Sequence, residues 1–316
     1  MTKALLSRKP GLRAISRCLF VHHNHTVKGM ATQLAALPAI ERLSPACIRI
    51  LGGNPGKFTL QGTNTYLLGT GRRRILIDTG EGKPAWAETV RSALEEEKAS
   101  IETVLISHWH HDHTGGIADI LNICPEAQVY KNEPEDGQRN IADGQTFGVS
   151  GASLTAVHSP GHTTDHVAFV FHEEDAMFTA DNVLGHGTAV FEDLGVYVDS
   201  LERMRYMFKG RAYPGHGPVV SDGPAKIVEY IRHRQERENQ VLRMLRTSHE
   251  RAGVGSQSDD WTVMELVKVI YRDVPEALHV PASGGVLQIL RKLEAEGQVA
   301  QTPDAERWIT KDKSSL

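Results

Sequence analysis

The sequence predicts an α/β chain whose core is a sandwich of two β-rich halves with helices outside, an αββα order, followed by a small C-terminal unit of different character. Three observations predict it. Short β-like runs outnumber helical ones early and recur after the first helices, which fits two sheets better than one parallel sheet. Helical patterns fall between these runs rather than in one block. Beyond "GVGSQSDD", a polar linker, the strand signal gives way to two amphipathic helices.

In order, "CIRIL", "TNTYLLGTG" and "RRRILIDTG" follow "LPAIERLSP" as β-like runs separated by Gly, Pro and Asn turns. "AWAETVRSALEEEKAS" spaces its apolar residues as a helix does, and "IETVLIS" returns to strand. "GGIADILNIC" reads as helix, "AQVYK" as strand, and "GASLTAVHSP", "HVAFVFHE" and "DAMFTAD" as further strands. "VYVDSLERMRYMFKG", "GRAYPGHGP" and the long "GPAKIVEYIRHRQERENQVLRMLRTSHERAG" continue the alternation. In the last part "WTVMELVKVIY" and "GGVLQILRKLEAEGQV" are helices and "ERWIT" a closing strand, together a winged-helix-like unit. Arg291 and Lys292 are offset by Glu294 and Glu296, so no basic recognition face emerges, and a docking or lid element is the simpler reading. The expected division is a basic leader at 1–40, a main domain at 41–250 and the small unit at 258–316.

Composition bounds the function. At 316 residues and 40% hydrophobic content the chain can bury one large core with an appendage. No run approaches the roughly 18 apolar residues of a membrane span. Cys18, Cys47 and Cys124 are far apart and odd in number, which argues against a disulfide framework and against a thiolate metal site, and points to a reducing, cytoplasmic setting. Residues 1–40 hold six cations and no acid, so the formal net charge of −4 leaves −10 on the remainder. An acidic body repels a phosphate backbone. The basic leader is compatible with a mitochondrial transit peptide, or with a tail upstream of a start at Met30.

The chemistry concentrates in "VLISHWHHDHTGG", residues 104–116, which crowds four histidines and an aspartate into six positions after an apolar run. In an extended loop alternate residues point the same way, so His108 and His110 can bind one ion while Asp112 and His113 hold a second. More ligands are needed, and each of three further turns supplies one after an apolar run: His162 in "SPGHTTDH", Asp181 in "FTADNVLGHGT" and His216 in "RAYPGHGP". Two of these are Pro-Gly-His, where glycine lets the backbone bring the imidazole close.

This set resembles the metallo-β-lactamase superfamily over residues 44–235. Asp78 in "LIDTG" matches the first motif, the opening stretch the second, His162 the third, Asp181 the fourth and His216 the fifth; five motifs in order make the match specific. The resemblance implies that His108, His110 and His162 bind one zinc ion and Asp112, His113 and His216 the other, with Asp181 bridging. It also implies that the two ions activate a water, that Asp112 doubles as a general acid/base, and that Asp78 orients a ligand histidine without touching metal. The donors suit zinc and would accept iron or manganese. An aspartate at the fourth motif is similar to the hydroxyacylglutathione hydrolase and RNase Z branches rather than to the antibiotic-destroying zinc enzymes, whose fourth motif is a cysteine.

Other residues carry weaker readings. His111 is read as a surface or packing histidine, His158 and His186 as either bystanders or donors behind a ligand, and His166 as a donor behind one. "GGNPGKFTLQGTNTYLL" can line the cleft or merely form β-turns, and "RRR" at 72–74 reads as a solvated hairpin end.

"NPGKFTLQGTNTYLLGTG", "LIDTGEG", "DNVLGHGTAVFEDL" and the "WTVMELVKVIY" appendage resemble the β-lactamase-like protein 2 group. That resemblance, which spans the chain beyond its first 40 residues, implies one of two substrates: a polyketide thioester on an acyl carrier protein, as in fungal lactamase-like thioesterases, or single-stranded RNA, as in mitochondrial endoribonucleases. The acidic body and an apolar cleft expected from Phe58, Leu60, Val190 and Phe191 place the thioester ahead. The basic leader favours the nuclease. A binding module that has lost its metals is disfavoured, because no ligand position is missing.

Overall fold

Strands and helices alternate as the patterns predict in a computed structural model that describes residues 34–247 and 260–311. Nearly all of the leader and of the linker therefore lies outside the described residues, and with them the readings of a transit peptide and of a start at Met30. From Ala36 onward the described residues form one compact unit.

The first sheet runs β1 (Ile40–Ser44), β2 (Cys47–Leu51), β3 (Asn64–Leu68), β4 (Arg73–Ile77), β5 (Ser100–Ile106), β6 (Gln128–Lys131) and β7 (Arg139–Asn140), in that spatial order. Its first four strands pair antiparallel and the rest parallel. Parallel pairing requires crossovers: α1 (Pro84–Glu96) joins β4 to β5, and α2 (His111–Thr114) with α3 (Ile117–Ile123) joins β5 to β6. The second sheet contains β8 (Thr146–Val149), β9 (Ala152–His158), β10 (Val167–Phe171), β11 (Ala176–Ala180) and β12 (Ala212–Pro214), in the order β12-β11-β10-β9-β8. Helices α4 (Leu194–Met204) and α5 (Gly223–Leu245) follow β11 and β12.

Side-chain alternation builds the layers. In β3, Tyr66 and Leu68 enter the core between the sheets with Phe169, Phe178 and Tyr213, while Leu67 faces the other way onto Trp86 and Val90 of α1. Strands buried on both faces read as continuous apolar runs, which is why "CIRIL" and "HVAFVF" stand out. On the outer face of the second sheet Val170 and Met177 pack with Leu201 and Met204 of α4 and Ile227 and Tyr230 of α5. The order is αββα, as expected.

The C-terminal elements are α6 (Val263–Ile270), α7 (His279–Ala295), β13 (Val299–Gln301) and β14 (Trp308–Thr310). A Thr262–Glu265 capping box starts α6. Trp261 and Trp308 are fully buried and exchange backbone hydrogen bonds of 2.9 and 2.8 Å. Leu266 and Leu290 enter the cluster that holds Leu201 and Ile227, and Lys292 pairs with the buried Glu238 at 2.8 Å. No described helix is long and apolar enough to cross a membrane.

Three sequence readings need correction. "AIERLS" supplies an edge strand, β1, that its burial pattern does not advertise: hydrogen bonding to the buried β2 holds it there. The "GQV" read as the end of a helix is instead the turn and start of β13, with Gly297 at φ +72. Arg74 is not solvated: it is 2% exposed, pairs with Glu97 at 2.8 Å and caps the carbonyls of Gly69 and Gly71. Arg72 and Arg73 are exposed as read.

Candidate metal centre

The loops leaving the C-terminal ends of β4, β5, β9, β11 and β12 converge at one edge of the sandwich, and each brings one of the predicted side chains. His108 follows β5. After it the chain does not stay extended: His110 precedes the short turn α2, which carries Asp112 and His113. That corrects the alternation argument, because Asp112 and His113 diverge from His108 and His110 by helical rotation.

Two glycines make the convergence possible. Gly161, at φ +124, lies against Tyr197, whose Cα would be 2.3 Å from an added Cβ. At Gly215 a Cβ would meet Asp181 Oδ1 at 2.1 Å. Any side chain at either position would push His162 or Asp181 out of place.

All seven candidates come together in two groups whose ligand atoms lie within 4.8 Å of one another: His108, His110, His162 and Asp181, and Asp112, His113 and His216. Hydrogen bonds fix which ring atoms face inward. His162 Nδ1 donates to Val190 O at 2.8 Å, which leaves the lone pair on Nε2. Asp78 Oδ2 is 2.8 Å from His113 Nδ1 and accepts from Ser107 Oγ at 2.8 Å, so His113 also turns Nε2 inward. Ser107 Oγ, its proton committed to Asp78, accepts from His108 Nδ1 at 2.9 Å. The carboxylate behind a histidine is the arrangement expected of Asp78.

The donors fit a cation. His108 Nε2 lies 2.9 Å and His162 Nε2 3.1 Å from His110 Nδ1, close to the separation of about 3.3 Å between neighbouring nitrogens around a tetrahedral zinc. A cation set between these three nitrogens would meet the lone pairs that His108 and His162 turn inward. Buried His113 Nε2 and Asp181 Oδ1 have no hydrogen-bond partner, and Asp181 bridges the groups, with Oδ2 3.7 Å from His162 Nε2 and 3.2 Å from His216 Nε2.

Charge follows the same division. Burial and the neighbouring His113 hold His108 well below the ordinary histidine range, and burial and His162 lower His110. Burial opposes charge on His216 too, but Asp181 and Asp112 outweigh it and push it up to about 10; Asp78 and Asp181 likewise push His113 up to about 8. Against the cost of burial, His216 and His113 hold Asp112 and Asp181 well below the usual carboxylate range. His108 and His110 are thus neutral imidazoles, while His113 and His216 carry charge beside the carboxylates. Metal cations would take the place of those protons.

The remaining histidines sort themselves. His111 is exposed. His158 Nε2 donates to Thr164 O at 3.0 Å and supports the loop that carries His162. His166 is buried behind the cluster, 3.0 Å from Ser159 Oγ, with its ring 5.4 Å from that of His108. His186 is exposed at the rim of the adjoining cavity.

Sequence reasoning missed the residues that brace the cluster from the first sheet. Thr63 Oγ1 donates to Asp112 Oδ2 at 3.0 Å, and Asn54 holds Thr63 by two bonds of 3.0 and 2.9 Å. Asn64 Nδ2 donates to the carbonyls of Pro214 and Gly217, clamping the turn that bears His216. The only signal was the stretch of Gly, Thr and Asn before "TYLL", which both shapes turns and lines the cleft.

Residues 58–216 match the Metallo-beta-lactamase superfamily and residues 262–308 the beta-lactamase associated winged helix domain. Lactamase-like protein aptB of Emericella nidulans is 42% identical, over 92% of this chain and 95% of its own. A protein of Aspergillus chevalieri named atrochrysone carboxyl ACP thioesterase is 46% identical, over 87% and 89%. Among solved structures, a metallo-beta-lactamase family protein from Thermus thermophilus has a TM-score of 0.66 over 85% of this chain and 100% of its own, at 21% identity. A beta-lactamase domain protein from Burkholderia ambifaria has a TM-score of 0.72 over 87% and 95%, at 16% identity. Likeness at such identity shows the fold alone. Taken with the αββα layers and the five motifs that meet at one edge of them, these matches show that the chain belongs to the metallo-beta-lactamase superfamily and carries its associated winged helix.

Proposed function

We propose that the protein is a two-metal hydrolase that releases a polyketide from its thioester on an acyl carrier protein. The observation that carries this reading is a cavity of about 510 Å³ in which the cluster meets an apolar wall: His110, Asp112, His162, Asp181 and His216 on one side, Phe58, Leu60, Leu184, Ala189 and Val190 on the other. A carbon chain suits such a wall. Phe191, expected there, lies outside this cavity, because its ring stacks on Tyr197 at 5.6 Å. Relatives from Aspergillus chevalieri and Aspergillus novofumigatus bear the name atrochrysone carboxyl ACP thioesterase, which supports the thioester over RNA. So does the lining, in which Lys57 is the single Lys or Arg among the described residues.

In this reading His108, His110 and His162 hold one ion, Asp112, His113 and His216 the other, with Asp181 between them, and imidazole and carboxylate donors suit zinc. Two such ions, bound there, would supply Lewis-acid polarisation of a carbonyl oxygen and a lowered pKa for an attacking water. The chain's own residues then position and move the proton. Asp112, kept anionic and braced at Oδ2 by Thr63, takes the proton of the water at its carboxylate. A thiol ionises near pH 8.5, so the departing sulfur needs little acid help and the work of Asp112 lies in the attack. Val190 O keeps His162 in its ligand tautomer while its side chain contributes to the acyl wall. The division at 41–250 and 258–316 goes with this reading, as does a cytoplasmic setting shared with the synthase.

Purified protein assayed side by side on a carrier-linked polyketide thioester and on single-stranded RNA tests it. Thioester hydrolysis without RNA cleavage is expected, and the reverse would overturn it.

A further inference from the structure

A second cavity, of about 330 Å³, adjoins the first. Residues 188–191 form the partition: Thr188, Ala189 and Val190 line the metal-centred cavity, and Thr188 and Phe191 line the second. Its other walls join α5 to the winged helix, through His233, Arg234 and Arg237 on one side and Tyr271, Gly285 and Ile289 on the other. Among the described residues no carboxylate lines it.

The cations there are placed rather than loose. Arg234 Nη2 donates to Ala189 O at 2.6 Å, and its guanidinium lies 4.7 Å from the centre of the Phe191 ring. Arg237 lies over Tyr271 at 5.2 Å and donates to Gln240 at 2.9 Å. His233 Nδ1 and Arg234 Nε are buried without a hydrogen-bond partner, which leaves polarity in this wall uncompensated. Burial and the charges of Arg234 and Arg237 hold His233 below its ordinary value, the mark of a positive field that favours an anion. A Cβ added at Gly285 would meet no atom within 4 Å, so the glycine keeps this part of the wall open.

A carrier protein holds its acyl group on a pantetheine arm whose far end is a phosphodiester. We propose that the second cavity binds this phosphodiester, its oxygens accepting from Arg237 in the field of Arg234. The assignment rests on the thioesterase reading above. Because the cavities share Thr188, a thioester set at the histidine cluster and a charged group further along the same arm occupy neighbouring pockets. The winged helix then has a role in substrate recognition, since it closes the phosphate pocket against α5.

The test compares an acyl-phosphopantetheine with the same acyl-pantetheine lacking phosphate, reading the ratio of the two KM values. In the unaltered protein the phosphorylated substrate should have a KM lower by about tenfold, the worth of one charge-assisted hydrogen bond. Arg237→Gln removes the charge. Gly285→Met fills the cavity without replacing a cation, and replacing glycine inside a helix favours folding. Both variants should bring the ratio towards one, whereas purely structural damage would raise both KM values alike and leave the ratio intact. A ratio near one in the unaltered protein, or one that survives either substitution, would overturn the phosphate assignment while leaving the thioesterase reading in place. Hydrolysis of neither substrate would overturn both. Inhibition by a short single-stranded RNA that Arg237→Gln relieves, with the KM ratio untouched, would assign the cavity to a nucleic-acid backbone and overturn the proposal.

Discussion

Thr63 Oγ1 donates to Asp112 Oδ2 across 3.0 Å, a bond between residues 49 positions apart that ties the entry of β3 to the turn α2. Thr63→Val keeps the shape and removes the donor. Turnover at saturating metal should fall roughly ten- to hundredfold, the range for a hydrogen bond to a charged group. An unchanged kcat would show that Asp112 needs no brace.

Asp112 itself carries more. Asp112→Asn keeps its size and one oxygen but removes the charge and the basicity. With metal saturating, so that lost metal cannot pass for lost chemistry, turnover should drop by about 10² to 10⁴. Near-normal turnover would remove proton transfer from its role.

Behind the cluster, Asp78 fixes the ring of His113 and sits at φ +58, a conformation that asparagine also tolerates. Asp78→Asn should therefore fold and keep its contact with Ser107 N, yet lose the carboxylate that orients His113. Metal affinity, read by competition with a chelator, should weaken about 10- to 100-fold. Affinity equal to that of the unaltered protein would make Asp78 a purely architectural residue.

The loop bearing His162 and His166 is anchored by a buried ion pair, Lys131 Nζ to Asp165 Oδ2 at 2.7 Å. Thr163 and the carbonyls of Asn132 and Glu133 complete its hydrogen bonding. Breaking such a pair leaves an uncompensated charge, so Asp165→Ala should cost about 3–5 kcal/mol in urea unfolding. A loss below about 1 kcal/mol would mean that water reaches Lys131 and the anchor is weak.

Much of this was legible in the sequence, for identifiable reasons. The histidines and aspartates of the cluster fall in turns directly after apolar runs, and a strand buried on both faces announces itself by its continuous hydrophobicity. What escaped depends on partners that the local pattern does not show. β1 is held by its neighbour rather than by its own burial, and Arg74 is drawn inside by Glu97 and two carbonyls. The hydroxyl of Thr63 and the amides of Asn54 and Asn64 look like turn residues until folding sets them against Asp112 and the His216 turn. The second cavity lay beyond reach for the same reason, because α5 and the winged helix supply its walls from opposite sides of the linker.

Turnover of a carrier-linked polyketide thioester, followed while metal is returned to chelator-stripped protein, tests the central claim most directly. Two adjacent groups of ligands, with Asp181 within reach of both, predict no turnover without metal and a rise that levels off near two ions per chain. Full turnover in the stripped protein, or saturation with cleavage of single-stranded RNA and none of the thioester, would contradict the account.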